Sequence, residues 1–533
     1  MNYRTRFVTL VGSVAAVSLA GACNPDLNIT NPNAPDVERA VSTPGDVRQL
    51  IGSSYNTWYL NVQGNARPYP GVATAVMADN FTMAFGNFGA RFNGQEPRLA
   101  YNNSSSADDG RLTSDVYDGL YGALGAANDG LNAIKRGLKV AVNKSAADET
   151  PQMQALAYLI QGLSLGMEAL LFDRGFIILE DTDNEAATLQ PYTAVSAAAI
   201  ASIDKAIAAA AGKTWSIPGE FTPGMTLTAE KFARMANTMN ARQLAYLPRT
   251  ATENAAVSWA KVLQYADKGI SSGTPFDLMI QGDGGNNWYD LLKGYSDLES
   301  WVRVDQRVVQ LADPSQPLLY TSATPPARAV SADKRWATGT PDASGNVKQE
   351  GADFWFYRTI PFSVARGTYF FSQWGHARYI EHSYEADAPF LTAVPYVLAA
   401  ENDLLIAEAL VRTSGDKGRA AALINKTRVG RGGLSALSAG SSNNDLLAAI
   451  FYERDIELFG SAAAQPWFDR RRVDTNLTYN GLPLGNTWGF RGGSNLQKGT
   501  PRHLPVPAKE LETLGMPVYT YGGNTPNPVF PEM

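Results

Sequence analysis

The chain has 533 residues, of which 44% are apolar and 18% charged, and a formal net charge of −6. That is the composition of a globular protein with room for a large core or several domains, and its dispersed acidity excludes the clustered Lys and Arg of a nucleic-acid footprint. The one cysteine, Cys23, excludes an intramolecular disulfide and a cysteine-based metal site, and His376, His382 and His503 are not spaced as a helical ligand pair.

At the N-terminus, Arg4 and Arg6 precede the apolar run FVTLVGSVAAVSLAGA, which is short for a membrane helix and ends in small residues. This pattern predicts a signal peptide over residues 1–22. The ending LAGAC resembles a bacterial lipobox, in which Ala20, Gly21 and Ala22 admit a peptidase and Cys23 is the residue acylated. More than one acyl chain on Cys23 meets the condition for stable anchoring in lipid. Residues 23–42, rich in Asn, Pro and Asp, are expected to form an extended tether of up to about 40 Å at about 3.3 Å per residue. Beyond this segment no apolar run looks long enough to span a bilayer.

A first helix is expected over 43–60, with Thr43 as N-cap, Pro44 at its first position, Asp46 in its first turn, and Val47, Leu50, Ile51 and Tyr55 facing inward. Residues 79–112 read as a long loop in which Phe81, Phe85, Phe88 and Phe92 are separated by Gly and Asn. A further helix follows over 114–139. Helical hairpins are expected at 151–172 with 194–211, at 228–247 with 255–270, and at 396–412 with 417–428; alanines recur at helical spacing in their second members and permit close packing. The expected fold class is mainly α, with hairpins stacked as tetratricopeptide-like units and a less regular, aromatic-rich subdomain inserted among them. In one domain spanning 43–533, the helical core would cover about 43–271 and 396–472, the insertion about 272–394, and a C-terminal wrap 473–533. Trp288, Trp301, Trp336, Trp355 and Trp374 all fall in the insertion.

The stretch NDLLAAIFYERDIELFGSAAAQPWFDRRR over 444–472 reads as an amphipathic helix followed by an arginine-rich turn. Leu447, Ile450 or Phe451, Arg454 and Leu458 recur at three- and four-residue spacing, with Glu453 and Glu457 one turn apart on a neighbouring stripe. Two carboxylates so placed repel each other and call for cations, of which Arg454, Arg470, Arg471 and Arg472 are nearest in sequence. The expectation is a partly buried ion-pair network of Glu453, Arg454, Glu457, Asp469 and Arg471. A glycosidase pair is the alternative, but its carboxylates flank the scissile bond, whereas two on one helix face project from the same side.

E-R-D-I-E-L-F-G followed by W-F-D-R-R, together with AENDLLIAEAL, INKTRVGRGGL and HLPVPAKEL, resembles the C-terminal signature of the SusD/RagB family of nutrient-uptake lipoproteins. The chain departs from that family's common Glu-Gly after the helix, since Gly460 is followed by Ser461. The resemblance implies the same helical core with an inserted subdomain. It also implies a surface-exposed lipoprotein of the bacterial outer membrane, anchored in lipid through Cys23, that caps a SusC-like TonB-dependent barrel and captures glycans for import. A peptide ligand, or a structural surface protein that uses its helices for protein contacts, are the other readings.

No nucleophile elbow, phosphate loop or metal cluster is present in the sequence, so a binding protein without cofactor is expected rather than an enzyme. The GRGG of Gly430–Gly433 lacks the Lys-Ser/Thr of a phosphate loop and reads as a helix-ending turn. Sugar rings stack on aromatic faces while amides and carboxylates meet their hydroxyls. Two loops have that chemistry: Phe85, Asn87 and Phe88 in one, and Asn286, Asn287, Trp288, Tyr289 and Asp290 in the other. In the second, Trp288 has little local apolar company and is expected to be exposed as a stacking face.

Overall fold

A computed structural model describes residues 41–64, 70–83, 93–94, 98–107, 111–296, 301–317, 324–360, 371–473, 478–479, 482–483, 496 and 499–523. Cys23, with the rest of residues 1–40, lies outside the described residues, as do Phe85, Asn87 and Phe88. In chain order, α1 (Pro44–Tyr59) is followed by a π-helical turn, Leu60–Gly64, then by α2 (Pro70–Met77), β1 (Phe81–Met83), α3 (Arg111–Lys135), α4 (Thr150–Leu171), β2 (Arg174–Phe176) and β3 (Leu189–Pro191). Next come α5 (Tyr192–Ala210), α6 (Ala229–Tyr246), α7 (Ala251–Ala255), α8 (Trp259–Ala266), β4 (Leu278–Gln281), α9 (Leu291–Ser296), β5 (Val302–Val304) and α10 (Gln306–Ala312). The remainder is β6 (Phe354–Phe356), β7 (Trp374–His376), β8 (Ala393–Val397), α11 (Ala399–Arg412), α12 (Lys417–Arg428), α13 (Asn443–Ile456), α14 (Gln465–Arg470), the strand pair β9 (Thr478–Tyr479) and β10 (Leu482–Pro483), and α15 (Ala508–Thr513).

The molecule is mainly α, and its helices pack against their successors as in a tetratricopeptide-like stack: α3 on α1, α4 on α3, α5 on α4, α6 on α5, then α8, α11 and α12. Local chemistry accounts for several of the ends. Thr43 caps α1 by accepting the Asp46 amide at 3.2 Å, with Pro44 in the first turn. Gly137, at φ +95°, stops α3 short of the expected end at 139. The helix expected from 396 begins only at Ala399, because Tyr396 belongs to β8. Close approach explains Gly162 on α4, where a Cβ would come within 2.4 Å of Ile203 and 2.8 Å of the Ala199 carbonyl on α5. By length and composition α5 could cross a membrane, contrary to the sequence expectation. It is instead a core helix, with Val195, Ala199, Ile203 and Ala206 buried.

Strands occur as two-stranded antiparallel pairs that tie distant segments together. Gln281 of β4 faces Ala393 of β8, and Leu278 faces Val397, so the two ends of the aromatic-rich segment lie side by side. Phe81 of β1 faces Val304 of β5, and Phe354 of β6 faces His376 of β7. Two large hydrophobic clusters result. One is built from the helical stack, and the other from α2, β1, α9, β5, α10, β6 and β7.

Helix α13 stands between the two clusters. Leu446, Ala449 and Ile450 join the first, while Ala448, Phe451, Tyr452 and Ile456 join the second. A helix buried on both sides carries its charges inward, and each finds a partner. Glu453 pairs with Arg335 at 2.7 Å. Glu457 takes Arg431 at 2.6 Å, Arg378 at 3.1 Å and Arg335 at 3.2 Å. Asp455 receives both guanidinium nitrogens of Arg307 at 2.9 Å. Arg454 bonds Asp469 at 2.6 Å and lies 3.0 Å from Glu408, and Arg472 meets the same two carboxylates at 2.5 and 2.8 Å.

This corrects the expected network in two respects. Glu453 and Glu457 draw their cations from remote Arg335, Arg378 and Arg431, not from Arg454 or the 470–472 run. Arg471 pairs with no carboxylate of that set; it donates to the carbonyls of Leu170, Tyr246, Pro248 and Arg502 at 2.8–3.2 Å. The Gly430–Gly433 turn does end a helix, α12, with Gly433 at φ +64°, and it also presents Arg431 to Glu457 and Asp353. Buried and held by guanidinium groups, Glu453 and Glu457 have no room for a glycosidic bond between them. Removing one member of such a buried set leaves charge uncompensated, so Glu457→Ala lowers unfolding free energy by about 3–5 kcal/mol in denaturant titrations.

Glu168 on α4 is the opposite case. It is buried, and neither carboxylate oxygen has a partner among the described residues. Burial, with a smaller contribution from Asp118, pushes its proton affinity well above the ordinary carboxylate range. A folded-state pKa raised in this way adds stability that is complete below about pH 4.3, the unfolded value, and is lost as pH rises toward the folded one. Glu168→Gln therefore raises the melting temperature at pH 7–8, with a gain that shrinks as pH approaches 4.

A candidate ligand-binding surface

The sequence GDGGNN forms a tight turn after β4. The Asp283 carboxylate accepts backbone amides from Asn286, Asn287 and Trp288 at 2.9–3.1 Å, and the Asp283 amide donates to the Trp288 carbonyl at 3.0 Å. Gly284 and Gly285 at φ +81° and +83° supply the left-handed backbone that closes it. Asn286 and Asn287 are thereby held outward and exposed. The Asn287 carbonyl accepts the Asn56 side chain at 2.6 Å, which fastens the turn to α1.

The next residues turn inward. Trp288 is only 9% exposed, its ring 5.5 Å from Tyr59 and 6.1 Å from Tyr55 on α1. The expectation of an exposed stacking face is thus corrected: the apolar company that Trp288 lacks locally comes from a helix far away in sequence. Asp290 is also buried, capping α9 through the Lys293 amide at 3.0 Å, pairing with the Lys293 ammonium at 2.6 Å and accepting Gln63 at 2.7 Å. Neither residue is placed to meet a ligand. Tyr289, between them, stays half-buried.

A second segment, not singled out from the sequence, completes the surface. Phe390 sits at φ +59°, a conformation that costs a non-glycine residue about 1–3 kcal/mol. Glycines give it space: a Cβ on Gly294 would come within 2.5 Å of its ring, and one on Gly282 within 2.0 Å of its carbonyl oxygen. The Phe390 carbonyl accepts the Gly284 amide at 3.1 Å, joining the two segments. Its ring packs edge-on against Tyr384 at 4.7 Å, His382 at 5.2 Å and Tyr289 at 5.6 Å. On this base Tyr384 and Leu391 remain 44% and 49% exposed. Burial pushes the Tyr384 hydroxyl upward, helped by its neighbours Tyr295 and Tyr289, so that it stays a neutral donor and acceptor.

Tyr384, Tyr289 and Leu391, beside the amides of Asn286 and Asn287, form an apolar step edged with hydrogen-bonding groups. Below it, His382 accepts the Asp290 amide through Nε2 at 3.2 Å and faces the Thr392 carbonyl through Nδ1 at 3.2 Å; burial lowers its pKa and favours the neutral ring. The only sequence signal for Tyr384 and Phe390 was the Asp-Ala-Pro turn between them, in a region where hydrophobic periodicity fails. A separate cleft of about 320 Å³ is lined by Met77, Asn93, Arg98, Leu99, Tyr101 and Asn102, among others, but Tyr101 is buried there and Arg98 is paired with Asp79 at 2.5 Å. Among the described residues it offers no exposed aromatic face.

No protein-family model matches this sequence, and neither does any curated protein. Solved structures do. A surface glycan-binding protein A from Bacteroides uniformis aligns at a TM-score of 0.56 with 15% identity, over 88% of this chain and 97% of that one. A SusD superfamily protein from Bacteroides thetaiotaomicron gives 0.57 with 13% identity over 88% and 98%, and one from Parabacteroides distasonis gives 0.57 with 12% identity over 87% and 97%. The chain has the SusD-superfamily fold.

Because Trp288 fills a core position, Trp288→Ala lowers stability by about 3–5 kcal/mol in denaturant unfolding. A melting temperature equal to that of the unmodified protein would return Trp288 to the surface.

Proposed function

We propose that this chain is a surface-exposed lipoprotein of the bacterial outer membrane that binds glycans at the Tyr384 surface and delivers them to a SusC-like TonB-dependent barrel. The observation that carries the reading is the juxtaposition of Tyr384, Tyr289 and Leu391 with Asn286 and Asn287 on a SusD-type fold. An exposed aromatic step takes the apolar face of a pyranose ring, and neighbouring amides donate to and accept from its hydroxyls. Support also comes from the like-folded Bacteroides uniformis protein, described as glycan-binding. Acylation at Cys23, within LAGAC, would hold the protein on lipid, and the Asn- and Pro-rich residues after it would let the globular part reach a membrane partner.

A partly exposed aromatic step of this kind suits capture and release. The nearby carboxylate of Asp290 is buried against Lys293 and lies outside the step. Glycan capture is therefore the reading proposed for this surface.

Truncating a central binding aromatic typically costs at least about 2 kcal/mol, and each 1.4 kcal/mol is a decade in affinity. Tyr384→Ala accordingly weakens glycan binding tenfold or more in calorimetry, with the fold retained by circular dichroism. Unchanged affinity moves the site elsewhere, and binding restricted to a peptide panel makes the protein a peptide-capture lipoprotein.

A further inference from the structure

Among the described residues, the exposed charges on the two segments that build the Tyr384 surface are of one sign. Asp283 lies directly beneath Asn286 and Asn287, where the backbone amides of the turn fix its carboxylate. Glu381 and Asp387 are exposed on the segment that carries Tyr384 and Phe390. Within 281–296 and 381–395 the only cationic side chain is Lys293, and it is fully buried against Asp290. The neighbouring loop 217–228, whose Pro223 carbonyl accepts the Gln281 amide, contains no Lys or Arg, and its one acid, Glu220, is paired with Arg48 at 2.6 Å and adds no free charge.

We propose that this surface selects neutral glycans and rejects anionic ones, such as uronate-containing or sulfated polysaccharides. The inference rests on the glycan reading above and adds the substrate class. Recognition of a sugar carboxylate or sulfate normally recruits Arg or Lys in direct contact, because charge-assisted hydrogen bonds are the strong ones. Here a ligand stacked on Tyr384 meets amides, a hydroxyl and carboxylates. The amides and the hydroxyl satisfy the hydroxyls of a neutral sugar, while the carboxylates stand at the edge of the step. An anionic sugar in the same place would give up hydration and gain repulsion from Asp283, Glu381 and Asp387. The discrimination is electrostatic and partly exposed, so it depends on salt: the Debye length falls from about 30 Å at 0.01 M to about 8 Å at 0.15 M.

The test uses affinity gel electrophoresis against neutral polysaccharides (starch, xylan, mannan, galactan and mixed-linkage β-glucan) and anionic ones (polygalacturonate, alginate and heparin), followed by calorimetry of whatever binds. The expected result is retention by at least one neutral polymer, lost in Tyr384→Ala, with anionic polymers bound at least tenfold more weakly at about 0.01 M salt. Raising the salt narrows that gap. The double variant Glu381→Gln with Asp387→Asn also narrows it and leaves neutral binding within about twofold, a change of about 0.4 kcal/mol. Anionic polymers that bind as tightly as neutral ones, or more tightly, overturn the selectivity while leaving glycan capture intact. Retention by no polymer of either kind overturns glycan capture itself.

Discussion

Everything in this fold leans on the burial of α13. From Ala448 to Ile456 every residue is buried, the flanks face different clusters, and four charged residues between Glu453 and Glu457 have to be neutralised inside the protein. An unpaired charge there costs several kcal/mol, far more than a surface ion pair returns. The partners therefore act as assembly conditions. Arg335, Arg378 and Arg307 come from the aromatic-rich segment, Arg431 from the turn after α12, Glu408 from α11 and Asp469 from α14. Both clusters must be in place before α13 is satisfied. The single helix thus couples a regular helical stack to an irregular subdomain that has little periodic structure to organise it.

The Tyr384 surface lies where the same two clusters meet. Trp288 belongs to the helical cluster and is clamped by Tyr55 and Tyr59, whereas Leu291, Tyr295 and Phe390 belong to the other. The few residues from Trp288 to Leu291 cross from one to the other, with Tyr289 left half-buried at the seam. The β4–β8 pair brings the second segment, 382–391, back beside the first. Rigid placement follows from the anchors on either side, and a stacking surface gains affinity when little conformational freedom remains to be lost on binding. The strained Phe390 fits that account, since the packing of Tyr384, His382 and Tyr289 around it over-determines its conformation.

Features that depend on neighbours in sequence were legible before the structure. The Thr43 cap, the hairpin helices, the GRGG turn and the outward Asn286 and Asn287 each follow from local periodicity or turn chemistry. Features that depend on distant partners were not. The partners of Glu453 and Glu457 lie up to 122 residues away, so proximity in sequence pointed to the wrong arginines. Trp288 looked orphaned among Gly and Asn because its company sits on α1. Helix α13 read as amphipathic because Glu, Arg and Asp interrupt its apolar residues, and periodicity does not report whether a charge meets water or a buried counter-charge.

A failure of the same kind hid the candidate site. Stacking requires an aromatic residue to be exposed, yet exposure is a property of the assembled surface and not of the residue's own stretch. In the turn that sequence chemistry favoured, the tryptophan expected as a stacking face is a buried anchor, and the faces offered to solvent are Tyr384 and Leu391 on the returning segment. The anchor makes the offer possible. With Trp288 fixed against α1 and Gly282 and Gly294 leaving space for Phe390, the exposed Tyr384 rests on a ring whose position is set from below. In the proposed face the buried Trp288 and Phe390 hold shape, while Tyr384 both packs on Phe390 and faces solvent. Changes at Tyr384, Glu381 or Asp387 are then free to alter recognition without reaching the paired charges of α13.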